Sequence, residues 1–121
     1  MKKANDFFQF NNQSEKTENK FLFIRADYSL IKIAIADILY IEGLDDYIKI
    51  NLPNRRPVVP RMNLKDILTK LPAKEFIRVH RSFIVPFSKI ENVRNKTISI
   101  AGAEIPIGKN FEEEFFKLFK I

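Results

Sequence analysis

The sequence predicts a mainly β domain of short antiparallel strands with two short helices. Apolar and polar residues alternate in several short runs, the pattern of strands with one buried face. Clusters of Asp, Asn, Gly and Pro separate those runs and supply turn chemistry. Only two stretches carry apolar residues at helical spacing, one after Asn63 and one after Asn110. With 121 residues, of which 45% are hydrophobic, the chain suits one domain with a core of its own.

The first twenty residues stand apart. Residues 2–10 suit a short helix anchored by Phe7, Phe8 and Phe10, and residues 11–20 are polar and read as a linker. Residues 1–20 are therefore expected to be a helix and linker, the remnant left when an upstream domain is cut away. Residues 21–121 are the expected folded domain. A naturally short protein fits the same pattern.

Residues 21–25 and 30–35 predict a hairpin about Asp27-Tyr28-Ser29, with Ile31, Ile33 and Ile35 inward and Lys32 outward. Residues 38–42 predict a short third strand, residues 43–46 a turn, and residues 47–52 a fourth strand. Ile48, Ile50 and Leu52 then face inward, which leaves Tyr47, Lys49 and Asn51 on the wetter face. Residues 58–62 follow another turn. Pro57 and Pro60 lack the N–H that a central ladder needs, so this fifth strand is expected at an edge. Asn63 caps a two-turn helix with Leu64, Ile67, Leu68 and Leu71 on one face and Pro72 as the stop.

Residues 76–86, Phe-Ile-Arg-Val-His-Arg-Ser-Phe-Ile-Val-Pro, are the most informative stretch. Apolar residues alternate with Arg78 and His80, the pattern breaks at Arg81-Ser82, and it resumes at Phe83. Such a break predicts a bulge or tight loop that pushes the Arg81 guanidinium outward from a rigid sheet. A planar fork of donors suits a guanine edge or a phosphate. Residues 86–89 predict a turn. Residues 90–94 and 97–100 predict a hairpin about Asn95-Lys96, with a last strand over residues 104–107 after Ala101-Gly102. Asn110, with Glu113 three residues on, predicts a capping box that would hold Lys109 just outside the final helix. Phe111, Phe115 and Phe119 form the apolar stripe of that helix.

Charge is uneven along the chain. Lys and Arg number 21 against 15 Asp and Glu, a net charge of +6. Residues 48–111 hold thirteen of the basic residues against four acidic ones, whereas residues 1–47 hold six against eight. A basic block on a β domain fits a polyanion, nucleic acid first, and composition alone leaves ordinary solvated surface open.

Catalytic chemistry is sparse. The absence of Cys excludes disulfides and thiolate metal sites and is compatible with a reducing cytoplasm. His80 is the single histidine, and no further ligands stand at metal-binding spacing. Its separation from Ser82 is one that arises commonly by chance. Asp45-Asp46 read as turn formers. Three glycines make no phosphate-cradling loop. No apolar run approaches the ~18 residues of a membrane span. Asn5, Asp6, Gln9, Asn11 and Asn12 interrupt any signal-peptide core. No catalytic residue, metal ligand, cofactor or membrane partner is therefore assigned.

Three pieces carry a resemblance. Arg78-Val79-His80-Arg81-Ser82-Phe83-Ile84-Val85 resembles the signature of the LytTR family, the DNA-binding output domain of many bacterial response regulators. Residues 37–43, Asp-Ile-Leu-Tyr-Ile-Glu-Gly, with Asp46-Tyr47-Ile48-Lys49-Ile50, are similar to the family's first hallmark. Ile105-Pro106-Ile107-Gly108-Lys109 is similar to its last. The pieces stand in the family's order, and the match runs from about Phe21 to the C-terminus. The resemblance implies a small elongated domain of short antiparallel strands in stacked sheets, with two short helices and no helix-turn-helix. It implies sequence-specific binding of double-stranded DNA through loops inserted in the major groove. Paired half-sites, a second copy of the domain on DNA, and a receiver domain upstream are implied as well. The whole would be a cytoplasmic transcriptional regulator of a two-component system.

By the same resemblance Arg81 and Lys109 are base contacts, because each matches its motif directly. Asp46 and Tyr47 are a looser match for the first reading loop. Lys49, Arg78 and Asn110 are assigned to phosphates. His80 is assigned a structural role, bonding the loop that aims Arg81. Pro86 departs from the family, in which Asn is frequent after the Ile-Val pair. It removes a backbone donor and fixes the local turn.

Two other classes stand beside this one. A general single-stranded RNA or DNA binder needs exposed aromatics on one strand face, whereas most of the twelve Phe occupy inward or helical-stripe positions. An interaction module or small basic hydrolase has no motif in its support.

Overall fold

The structure, a computed structural model, describes residues 20–119. The helix expected over residues 2–10, and the linker ahead of Lys20, lie outside the described residues. Among the described residues the strands form three antiparallel sheets. Strands β1 (Phe21–Ala26) and β2 (Ser29–Ala34) make a hairpin, with Phe21 opposite Ala34. Strands β3 (Tyr40–Leu44), β4 (Tyr47–Asn51), β5 (Phe76–His80) and β6 (Phe83–Pro86) make a sheet in the order β4-β3-β6-β5. Strands β7 (Asn92–Arg94), β8 (Thr97–Ile100) and β9 (Ala103–Pro106) make the third. Helix α1 (Leu64–Thr69) lies between β4 and β5 in the chain, and helix α2 (Glu112–Phe119) follows β9.

Turn chemistry decides where the hairpins fold. Asp27-Tyr28, Asn95-Lys96 and Ala101-Gly102 each place two successive residues at positive φ. Mirror-image two-residue turns of this kind match the right-handed twist of the flanking strands. The first turn is tighter than expected from sequence, because Ser29 already begins β2.

Alternation then decides the layers, with the four-stranded sheet in the middle. One of its faces, with Ile41, Ile48, Ile50 and Ile84, packs against Leu22, Ile24 and Ile33 of the hairpin and Ile67 of α1. The other face, with Ile77, Val79 and Val85, packs against Ile98, Ile100 and Ile105 of the third sheet and Phe115 of α2. Neighbours on β5 therefore serve different cores, Phe76 the first and Ile77 the second. Each fully buried Ile contributes about 1.5–3 kcal/mol, so a one-residue slip of β5 would be costly.

Three local expectations change. Residues 35–37 form a 3-10 turn, so β3 starts at Tyr40. Residues 58–62 form an isolated bridge, not a full strand. Val58 exchanges both backbone hydrogen bonds with Ile50, and the Ile48 N–H donates to Pro60 O at 3.1 Å. Prolines at 57 and 60 cannot donate, which ends the ladder there. The Asn110 capping box does not form. A 3-10 turn over Lys109–Phe111 precedes α2, so Asn110 sits within helical backbone and Lys109 begins it. The turn starts early because Gly108 is pinned: its N–H donates to Val79 O at 2.7 Å, and its carbonyl accepts from Phe111 N–H at 2.8 Å.

Other expectations hold. Asn63 caps α1, its Oδ1 accepting the Asp66 N–H at 2.8 Å. Pro86 closes β6 opposite Phe76, at the far end of its hairpin from Arg81. The ladder continues through Phe87 N–H to Glu75 O at 2.9 Å, so the missing donor costs no pairing there.

Candidate nucleic-acid interface

The β5–β6 hairpin carries Arg81 at its tip. β5 ends at His80 and β6 starts at Phe83, so Arg81-Ser82 is the whole turn, and the ladder register shifts between Arg78 and His80. That shift is the irregularity expected from the broken alternation. Three hydrogen bonds shape the turn. The Ser82 N–H donates to His80 Nδ1 at 3.0 Å. Arg78 donates from Nη2 to Arg81 O at 2.6 Å and from Nε to His80 O at 3.3 Å. The Arg81 side chain is exposed, and among the described residues it has no hydrogen-bond or ion-pair partner.

Two backbone contacts draw the other expected tips to this turn. Gly43, at the end of β3, donates its N–H to Ser82 O at 2.8 Å. The Asp45-Asp46 turn therefore stands beside Arg81. Gly108 donates to Val79 O and delivers Lys109 to the other side. Both glycines allow close approach. A Cβ on Gly43 would lie 3.2 Å from Leu64 Cγ, and one on Gly108 would lie 3.0 Å from Phe111 Cδ2. Stretches distant in sequence thus meet at one end of the middle sheet.

An open cleft of about 330 Å³ lies between the first two tips, lined by Asp45, Tyr47, Asn63, Arg78 and Arg81 among others. Tyr47 is 43% exposed. Arg61 was not singled out from the sequence. Its guanidinium carbon lies 5.8 Å from the Tyr47 ring centroid, within cation–π range. The bond from Ile48 to Pro60 puts it there, a tertiary contact that sequence spacing does not announce.

The remaining expected residues divide. Lys109 and Asn110 are exposed on the 3-10 turn. Lys49 is half-buried and stands opposite Glu42 on the β3–β4 ladder. Arg78 is half-buried as well. Besides its two bonds to the Arg81 turn, its guanidinium lies 6.0 Å from the Phe111 ring centroid, so it also touches the turn that carries Lys109. A larger hollow of about 460 Å³ lies at the opposite end of the middle sheet, beside Ile38, Phe76 and Pro86, and contains none of these residues. Among the described residues there is no cluster of metal-ligating side chains and no helix long and apolar enough to cross a membrane.

Comparison with known proteins bears on the fold and the family. The family model described as LytTr DNA-binding domain matches residues 28–120. The sensory transduction protein LytT of Bacillus anthracis is 28% identical over 106 residues, which cover 83% of this chain and 43% of that protein. The transcriptional regulatory protein YpdB of Escherichia coli K12 is 29% identical over 111 residues, covering 86% of this chain and 45% of that one. The chain thus spans about half the length of the curated relatives it matches. A LytTr DNA-binding domain from Bacillus cereus superposes with a TM-score of 0.71 at 23% identity, over 84% of this chain and 97% of that one.

Proposed function

The chain belongs to the LytTr DNA-binding domain family, and from that premise we propose that it reads the sequence of double-stranded DNA through its three clustered turns. The observation that carries the proposal is Arg81: an exposed guanidinium without a partner among the described residues, on a turn whose backbone is fixed by Arg78 and His80. A rigid origin with free donors suits O6 and N7 of guanine in the major groove. Lys109 reaches a neighbouring base edge or phosphate. Asp46 accepts from a cytosine amino group, and Tyr47 offers its ring and hydroxyl.

Phosphate contacts position the domain without reading sequence. Lys49 and Asn110 take this role. Arg78 contributes to it only with the donors that the turn leaves free, since two are engaged. Arg61 joins them from beside Tyr47. Two copies bind paired half-sites, in a cytoplasmic transcriptional regulator of the two-component kind. A receiver domain upstream belongs to the same reading. No catalysis, metal or cofactor enters the proposal.

One observation supports a second reading. Phe21 and Phe23 are 46% and 59% exposed on the outer side of β1, and Lys32 Nζ lies 4.2 Å from the Phe21 ring centroid. Aromatics with cations on a strand face suit stacked single-stranded bases.

Selection of bound duplexes from a random pool, then titration at two salt concentrations, tests both readings. An enriched motif in two spaced copies is expected, with affinity falling steeply as salt rises because neutralised phosphates release counterions. Binding without enrichment, or a preference for single strands, would replace the duplex reading with the general one.

A further inference from the structure

His80 contacts the backbone of both turns that carry the exposed cations. Its Nδ1 accepts the Ser82 N–H at 3.0 Å, and its carbonyl accepts from Arg78 Nε at 3.3 Å. A ring nitrogen that accepts carries no proton, so the neutral ring has its hydrogen on Nε2. Gly108 packs on the same residue. A Cβ built there would lie 3.5 Å from His80 Cα and 3.5 Å from its Cδ2. The Gly108 N–H also bonds Val79, the residue before. The Phe83 ring closes the pocket on another side, its centroid 5.6 Å from that of the imidazole.

We propose that His80 is a positioning residue that sets the separation of Arg81 and Lys109, and so the spacing of the base pairs they read. The inference rests on the assignment of those two residues as base contacts. Both side chains are long and flexible, so discrimination between bases depends on fixed backbone origins. His80 fixes one origin by a hydrogen bond and the other by contact with Gly108. Loss of the Nδ1 acceptor frees the Ser82 amide and lets the turn relax, while the charges that attract DNA stay in place.

The acceptor position makes this separable from simple packing. In Asn the side-chain oxygen sits close to where Nδ1 sits, and it can accept from Ser82. In Gln the polar group lies one bond further out, nearer the place of Nε2, and it cannot. His80→Asn and His80→Gln in the full chain are compared by three readouts: exchange protection of the Ser82 amide, affinity for the selected duplex, and affinity for duplexes altered at each base pair read. His80→Asn is expected to keep Ser82 protection and discrimination at the Arg81 base pair, and to lose discrimination at the Lys109 pair because it lacks the ring carbon on which Gly108 packs. His80→Gln is expected to lose protection and roughly tenfold in discrimination at both base pairs, with little change in binding to unrelated duplex.

Equal impairment of the two variants would overturn the proposal and reduce His80 to a packing residue. Intact discrimination in His80→Gln would overturn it too, and a loss confined to one base pair in that variant would overturn the link between the turns. A wild-type chain without base discrimination would instead overturn the DNA-reading assignment, while Ser82 exchange would still decide whether the hydrogen bond depends on the acceptor.

Discussion

Arg78 holds the backbone of Arg81: its Nη2 donates to the Arg81 carbonyl at 2.6 Å, two antiparallel strands' ends being joined there by Arg81-Ser82 alone. One guanidinium thus shapes the turn from which another projects. Lys cannot reproduce two donors in a fixed fork. Arg78→Lys is expected to weaken discrimination at the base pair proposed for Arg81 and to lower stability by about 1 kcal/mol, since the bonds are charge-assisted but partly solvated. Urea denaturation beside a duplex titration separates the two effects. Unchanged discrimination would show that the turn holds its shape without Arg78.

Lys49 and Arg81 should respond differently to truncation. Lys49→Ala is expected to weaken binding to all duplexes alike and to reduce the salt slope by about one. A sequence-dependent loss in that variant would move Lys49 from the phosphates to a base.

Tyr47 and Arg61 should be coupled. The cation–π geometry at 5.8 Å is worth about 0.5–1 kcal/mol at an exposed site. In a double-mutant cycle of Arg61→Ala and Tyr47→Leu, an interaction energy of that size is expected in folding, and Arg61→Ala should also weaken duplex binding. Strict additivity in folding would remove the cation–π contact, and unchanged duplex affinity of Arg61→Ala would remove Arg61 from the interface.

Ala101 occupies left-handed backbone at φ 50° beside Gly102 at φ 79°. A Cβ costs roughly 1–2 kcal/mol there, partly offset by the extra freedom of Gly in the unfolded chain. Ala101→Gly is therefore expected to stabilise the domain by up to about 1 kcal/mol, and Gly102→Ala to destabilise it. Thermal melting checks both, and the opposite signs would contradict the turn geometry.

What the sequence made legible was mostly local. The alternation of Leu22, Ile24 and Ala26 with exposed neighbours needs only a two-residue period, and Asn63 needs only its own helix. Asn95-Lys96 turns where its chemistry says it should. Misreadings came where distant backbone intervened. Asn110 has the composition of a cap, but the Gly108–Val79 bond starts the helical turn earlier. The place of Arg61 depends on the bridge from β4 to Pro60. Arg78 reads from sequence as a phosphate contact, and its two bonds to the turn become visible only once the hairpin is folded.

Arg81 is the residue on which the functional reading turns. The direct measurement compares wild type and Arg81→Ala on the selected duplex and on every single-base-pair variant of it, at one salt concentration. The expected result is that Arg81→Ala folds as wild type does and loses about 1–3 kcal/mol of discrimination at one or two adjacent pairs, keeping it elsewhere. An Arg81→Ala chain as selective as wild type at every position would contradict it.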